Sequence, residues 1–345
     1  MHKLESAIMK TLKSQPIFSV VVPMYNVSRY IEECIHSILM QSFSNFEIIC
    51  VDDGCTDDTV SKVLRFDDER IKIVSQKNRG LSAARNTGIN HSRGIYIAFL
   101  DSDDFWAANK LSCHLVHFFS NRGVGISYSA SSFVDENSKP LGIGQNPKLS
   151  GVSTKDIFCR NPIGNGSAPV IKRAALNQIA RVDNFSGEMR ICYFDESMRQ
   201  SEDVECWLRL ALNTSWRFAG IGEALTFYRV NSGGLSANLA RQFAAWKYAV
   251  EINRPGNQTF FTQWYSLATA YQLRYLSRRA TQSGNAKDAI RLIHKAISID
   301  KRIFVEEPAR TIISLACAYL CVLPQGLYKF LQNTGIHLLS RYKLS

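Results

Sequence analysis

No stretch of this 345-residue chain is apolar for the ~20 residues that a membrane-spanning helix requires. The longest candidate, residues 311–323, is stopped by Pro324. The leader, residues 1–16, lacks the apolar core of a secretory signal, so export is not expected. Paired cysteine spacing is missing as well. Nine cysteines are scattered without a CxxC, which argues against a zinc site or disulfide framework and for a reducing, cytoplasmic setting. Also lacking is any long run of one charge. The 41 Lys and Arg against 30 Asp and Glu leave +11, which would suit nucleic acid, an anionic membrane surface or a phosphorylated substrate. Without a basic arm, direct nucleic-acid binding is not expected. With 46% hydrophobic and 21% charged residues the composition is that of a globular protein, long enough for one large domain and a smaller one.

Short β-branched runs alternate with amphipathic segments along the first hundred residues. Residues 17–22, ended by Pro23, predict a buried strand, and residues 30–40 a helix with Ile31, Ile35, Ile38 and Leu39 on one face. Strands are expected at 46–51, 70–74 and 95–100, with helices at 56–64 and, entered through NRG, at 80–90. This order predicts an α/β fold, a mainly parallel sheet sandwiched by helices. Beyond it the pattern suggests a strand at 126–129, a variable loop at 135–148, a helix near 203–212 and a strand within 216–228. From residue 239 onward the periodicity is helical, including a hairpin of 265–279 and 286–298 about Gly284. The expected division is therefore a leader (1–16), an α/β domain (17–238) and a helical C-terminal region (239–345).

In open α/β sheets, ligands bind beyond the carboxyl ends of the strands. Residues 23–26, the pair Asp52 and Asp53, and residues 101–104 all fall at such ends. Asp101 and Asp103 are hard oxygen donors suited to Mg²⁺ or Mn²⁺ bridging a diphosphate, with Asp103 the first choice of ligand. An isolated D-x-D is usually a solvated turn. Its place at a strand exit, level with a second exit bearing paired aspartates, favours the metal.

The segments FSVVVPMYN, VDDGCTDDT, NRGLSAARNTGI, IAFLDSDD and SEDVECWLRL occur in an order and spacing similar to those of family 2 glycosyltransferases with the GT-A fold. The match covers residues 17–236. The resemblance implies a metal-dependent enzyme that takes a nucleoside diphosphate sugar, most often UDP-linked, and inverts the anomeric centre by direct displacement. It implies that Pro23, Tyr25 and Asn26 form the first nucleotide-binding loop, and that Asp52 or, preferably, Asp53 accepts a hydrogen bond from the base. Asp101 is counted with this donor site. Arg85, followed by Asn86, would meet nucleotide or phosphate oxygens, and Gly80 would let the backbone approach the ligand. Asp203 matches the general base, with Glu202 orienting the site, although an acidic first helical turn capped by Ser201 is the plainer alternative. Trp207 suits stacking on an acceptor sugar or a place in the core. Arg229 resembles the basic residue of a loop that closes over the diphosphate, but Asn231 stands near the place where relatives often have histidine. The QxxRW element of processive synthases is absent, so transfer of a single sugar to a glycan or lipid-linked glycan, in cell-surface polysaccharide synthesis, is implied.

Two other functions compete. A sugar-nucleotide nucleotidyltransferase would need a glycine-rich phosphate loop, and PMYNVSRY has no glycine. A non-catalytic adaptor would not need Asp103 and Asp203. The apolar run at 311–323, flanked by Arg302, Arg310, Lys329, Arg341 and Lys343, suits either a buried packing helix or an interfacial one on the inner membrane face.

Overall fold

A computed structural model describes residues 15–185, 188–230 and 238–323, and its first strand, β1 (Phe18–Met24), sets the plan of the sheet. Successive side chains leave opposite faces of a strand. Val20 and Val22 accordingly enter one core and Val21 another. The chain continues through α1 (Ile31–Leu39), β2 (Phe46–Asp52), α2 (Thr59–Val63), β3 (Ile71–Ser75), α3 (Leu81–His91) and β4 (Tyr96–Phe99), the alternation expected from the apolar pattern. There follow β5 (Phe105–Trp106), α4 (Lys110–Ser120), β6 (Val124–Val134), β7 (Pro140–Gln145), α5 (Thr154–Arg160), β8 (Pro169–Lys172) and α6 (Arg173–Ile179). An antiparallel pair, β9 (Arg181–Phe185) and β10 (Glu188–Cys192), precedes α7 (Glu202–Asn213) and β11 (Arg217–Arg229).

The sheet runs β3-β2-β1-β4-β8-β6-β11-β5, with β7 paired to β6. β1 to β4 are mutually parallel, and β8 lies antiparallel to both β4 and β6. β6, and β11 parallel to it, thus point the same way as the first four strands. One face is covered by Ile31, Ile35 and Ile38 of α1 with Leu111 and Phe118 of α4. The other is covered by Ile89 of α3, Leu176 and Ile179 of α6, and Leu210 of α7. Each such side chain, fully buried, contributes about 1.5–3 kcal/mol.

Two expectations are corrected. The first strand does not stop at Pro23 but carries on to Met24, paired with Asp52. Its pairing with β4 ends at Val21, so a residue without an N–H is tolerated two places further on. The loop expected at 135–148 contains β7, whose Gly144 lies against the Ser131 carbonyl so closely that a Cβ there would overlap it. Glycine and proline in PLGIGQ hid a strand whose tight pairing needs one of those glycines.

The described residues fall into two compact units, the second holding residues 158–160 and everything from 238 onward. It contains α8 (Leu239–Asn253), α9 (Gln258–Gln282), α10 (Ala286–Ile299), α11 (Arg302–Glu306) and α12 (Pro308–Leu320). α9 and α10 form the expected hairpin, turned through Gly284 at φ 73°. Ala280, Ala289, Ile293 and Ala318 make its small core. No helix among the described residues is long and apolar enough to cross a membrane. Asn231, Lys329, Arg341, Lys343 and the first 14 residues lie outside the described residues.

α3 packs on β1 at Gly88, where a Cβ would overlap the Val21 side chain. Val21 is fully buried and β-branched, so it has little freedom to give way. Gly88→Ala is expected to cost about 1–3 kcal/mol of stability by overpacking, read as a lowered urea midpoint, despite the better helix propensity of alanine.

Candidate active site

The parallel strands β1, β2 and β4 deliver three loops to one rim. The Asp53 N–H donates to the Met24 carbonyl at 2.9 Å, tying the first two exits together. Asp52 is partly exposed, and its Oδ1 accepts from the backbone N–H groups of Gly54 and Cys55 at 3.1 and 2.8 Å. Asp53 is buried, and its carboxylate accepts from Gln76 Nε2 at 2.6 Å, Arg79 N at 2.9 Å and Gly80 N at 2.8 Å. Asp53 thus holds the loop that starts α3. Gly80 sits at φ 92°, and a Cβ there would overlap the Arg199 guanidinium, so what approaches it is a protein side chain. Beside these, Asn26 adopts φ 50° and accepts from Thr56 N at 2.8 Å, while Pro23 lies one residue before the end of β1, paired with Val51, and Tyr25 stands 52% exposed on the rim.

The centre of the site is Arg85, carried inward on α3 and only 2% exposed. Its Nη2 donates to Asp101 Oδ1 at 2.7 Å and its Nη1 to Glu202 Oε1 at 2.6 Å. One cation thus joins the exit of β4 to the first turn of α7. Burial works against the charge of Arg85, but Asp101, Glu202 and Asp203 outweigh it and hold the guanidinium firmly protonated. Asp203 lies within the same field. Burial first, and then the charge of Glu202, push its carboxyl up to about 7, against the pull of Arg85. That value suits a group that must take a proton near neutral pH. Of the plainer alternative, the acidic first turn is present, with Glu202, Asp203 and Glu205, but the Ser201 cap is not. Its side chain makes no cap hydrogen bond, and its backbone is left-handed at φ 60°.

The loop after β4 is knotted from behind by Ser167. Its Oγ accepts from Asp101 N at 3.0 Å and donates to Asp104 Oδ2 at 2.6 Å, and its carbonyl accepts from Trp106 Nε1 at 3.0 Å. Asp104 is fully buried, and burial followed by the charges of Asp103 and Asp101 raises its carboxyl well above the usual range. Gly166 leaves the space in which Arg85 and Asp101 meet, since a Cβ would overlap the Arg85 guanidinium. Neither Gly166 nor Ser167 carries a motif, and only their place before the strand at 169–172 links them to the rim. Asn86 was expected beside Arg85. It clamps the approach to α7, its Oδ1 accepting from Tyr193 N and Phe194 N, each at 2.9 Å.

Three further residues named in the sequence are held by the protein itself. Both terminal nitrogens of Arg85 donate to carboxylates. Arg229 is equally buried and engaged. Its Nε donates to Asp103 O at 2.7 Å, its Nη1 to Asp135 O at 2.9 Å and its Nη2 to Glu33 at 2.7 Å, while the guanidinium lies over Tyr30. It braces the Asp103 loop. Trp207 is 1% exposed and meets Phe194 edge-on in the core, so it offers no face to a sugar.

Among the described residues no three His, Cys, Asp or Glu side chains come together as a metal cage. Of the three aspartates after β4, Asp101 faces Arg85 and Asp104 faces inward to Ser167 and the Arg229 N–H. Asp103 is partly exposed on the rim. A single carboxylate there fits the way Mg²⁺ and Mn²⁺ are commonly held, by one or two carboxylates with substrate phosphates and water.

The model of "Glycosyl transferase family 2" matches residues 19–179. A glucosyltransferase of Escherichia coli, WfgD, named as acting from UDP-Glc on α-D-GlcNAc-diphosphoundecaprenol, is 37% identical over 64% of this chain and 80% of its own. TuaG of Bacillus subtilis, named for teichuronic acid biosynthesis, is 32% identical over 65% of this chain and 83% of its own. Other relatives are longer, and the chain spans 21% to 42% of them. Among solved structures, the mannosyltransferase PcManGT of Pyrobaculum calidifontis, in complex with GDP-Man and Mn²⁺, superposes with a TM-score of 0.54 at 20% identity, covering 89% of this chain and 86% of that one. The five ordered segments, the sheet they build and these relatives agree that the chain belongs to glycosyltransferase family 2, with the GT-A fold.

Proposed function

We propose that this protein moves one sugar from a UDP-linked donor to a hydroxyl of a lipid-linked glycan, inverting the anomeric centre, with Asp203 as general base. The observation that carries this reading is the Arg85 bridge, which sets Asp203 on α7 beside the Asp101 to Asp103 loop at the exit of β4. The donor's base is assigned to the Asp52 and Asp53 pair at the exit of β2, with Pro23, Tyr25 and Asn26 forming the surrounding loop. The UDP and lipid-linked parts of the proposal draw on the name of WfgD.

In the reaction, an acceptor hydroxyl gives its proton to the Asp203 carboxylate as its oxygen bonds to the anomeric carbon. The bond to the diphosphate oxygen breaks on the opposite face, and UDP leaves with the electron pair. Glu202 holds Arg85 and, through its own charge, keeps Asp203 basic. A Mg²⁺ or Mn²⁺ held at Asp103 would neutralise charge on the departing diphosphate. A role for Mn²⁺ is supported by the neighbour solved with it.

Asp203→Asn is expected to lower kcat by about 10²-fold or more while donor affinity persists, because a base acts on the chemical step and adds little to ground-state binding. In the intact enzyme kcat/KM is expected to rise with pH and level off above about 7, as the base loses its proton. The same proton has a stability effect of opposite sense to that of a salt-bridged aspartate. The folded state keeps it to about 7 whereas an unfolded aspartate releases it near ~4, so stability drawn from this group is lost as pH rises across that interval. Near-normal turnover by Asp203→Asn would move the base elsewhere.

Asp103→Ala tests the metal. UDP affinity measured by calorimetry with and without Mn²⁺ is expected to become independent of the ion, with the thermal unfolding midpoint little changed because the side chain is partly exposed. Mn²⁺-dependent affinity surviving in Asp103→Ala would rule the ligand assignment out.

A further inference from the structure

α12 is an inside-out amphipathic helix. Thr311, Ser314 and Ala318 face the second unit, whereas Ile312, Ile313, Tyr319 and Leu320 face outward. The buried hydroxyls are satisfied within the unit. Thr311 Oγ1 accepts from the Arg274 guanidinium at 2.6 Å and Ser314 Oγ donates to Arg310 O at 2.7 Å, so their inward position is built in. The outward face has Ile312 at 55% and Tyr319 at 51% exposure, in a helix where polar residues would normally stand. Cations surround it. Arg310 on α12 is exposed, Arg278 of α9 lies near Cys317, and Arg291 and Lys295 are exposed on α10 beside the Tyr319 hydroxyl that its His294 contacts at 2.7 Å. Residues 238–323 hold 12 Lys and Arg against five Asp and Glu, so the excess positive charge of the chain is concentrated in this unit.

We propose that this face of α12 docks on an anionic lipid surface, the aliphatic side chains entering the headgroup boundary and the flanking cations meeting lipid phosphates. An apolar strip bordered by Arg and Lys is the arrangement that binds such surfaces, through apolar burial plus attraction to anionic headgroups. A second copy of this chain would cover the strip equally well, but would bring the same excess of positive charge against it. The inference deepens the lipid-linked acceptor reading, because docking holds the enzyme where such an acceptor is presented.

The test uses the full chain and the triple variant Ile312→Gln, Ile313→Gln, Leu320→Gln, whose sites are all exposed. Cosedimentation with phosphatidylcholine vesicles containing phosphatidylglycerol is expected to fall by about tenfold or more in the variant. Binding by the intact chain is expected to weaken in high salt and to be lost on phosphatidylcholine alone. Circular dichroism and UDP affinity should be the same for both proteins. Equal vesicle binding by the two would overturn the proposal, as would self-association of the intact chain that the variant abolishes without any vesicle binding. Transfer to a short, water-soluble acceptor reads the active site alone, so failure of docking and failure of the proposed reaction are told apart.

Discussion

A guanidinium buried as deeply as that of Arg85 is stable only if carboxylates close in on it, and here they come from two different parts of the chain, Asp101 and Glu202. Removing either would leave a charge without its partner in the interior. The pair therefore does more than connect α3 with α7. It places the exit of β4 and the first turn of α7 at one distance from a common centre, and Gly166 keeps open the space that this requires. Burial lifts Asp203 to about 7, with Glu202 and Asp101 of the same cluster adding to the rise and Arg85 opposing it, so geometry and basicity cannot be varied independently there.

The sheet was largely legible because its signal is local. Six-residue β-branched runs such as IFSVVV and FEIICV have few alternatives, and the helix between them shows its apolar stripe directly. β7 was not legible, since two glycines and a proline obscured its alternation. In the site, residue types pointed to the strand exits, but not to the partners that each group takes within the protein. Arg85, Arg229 and Asp53 have the chemistry of ligand contacts and are engaged by the protein itself. Which partner takes up a donor depends on residues more than a hundred positions away, as with Arg85 and Glu202, and a linear pattern does not record that. Ser167 was missed for the related reason that a lone serine before a short strand carries no distinctive pattern.

The C-terminal unit shows the same limit in another form. Composition revealed an apolar segment at 311–323, and its length excluded a membrane span. The direction in which the apolar side chains point depends on Arg274, whose bond to Thr311 turns the polar side of the helix inward. Burial of that arginine draws its ionisation down to about 10, although it stays charged near neutral pH. A buried cation thus organises each of the two units, in one case around carboxylates and in the other around a hydroxyl and Glu307.

Glu202 and Asp203 are neighbours in a helix, where adjacent side chains diverge by about 100°. If one of them reaches inward to Arg85, the other is necessarily turned away from it, and the handedness of the helix decides to which side. The order of the two letters is therefore a spatial instruction. The longer side chain stands at the anchoring position and the shorter, stiffer one at the position proposed for proton transfer. Exchanging them would preserve composition, charge and helix propensity, yet it would leave the anchor a methylene short and put the more flexible carboxylate at the reacting position.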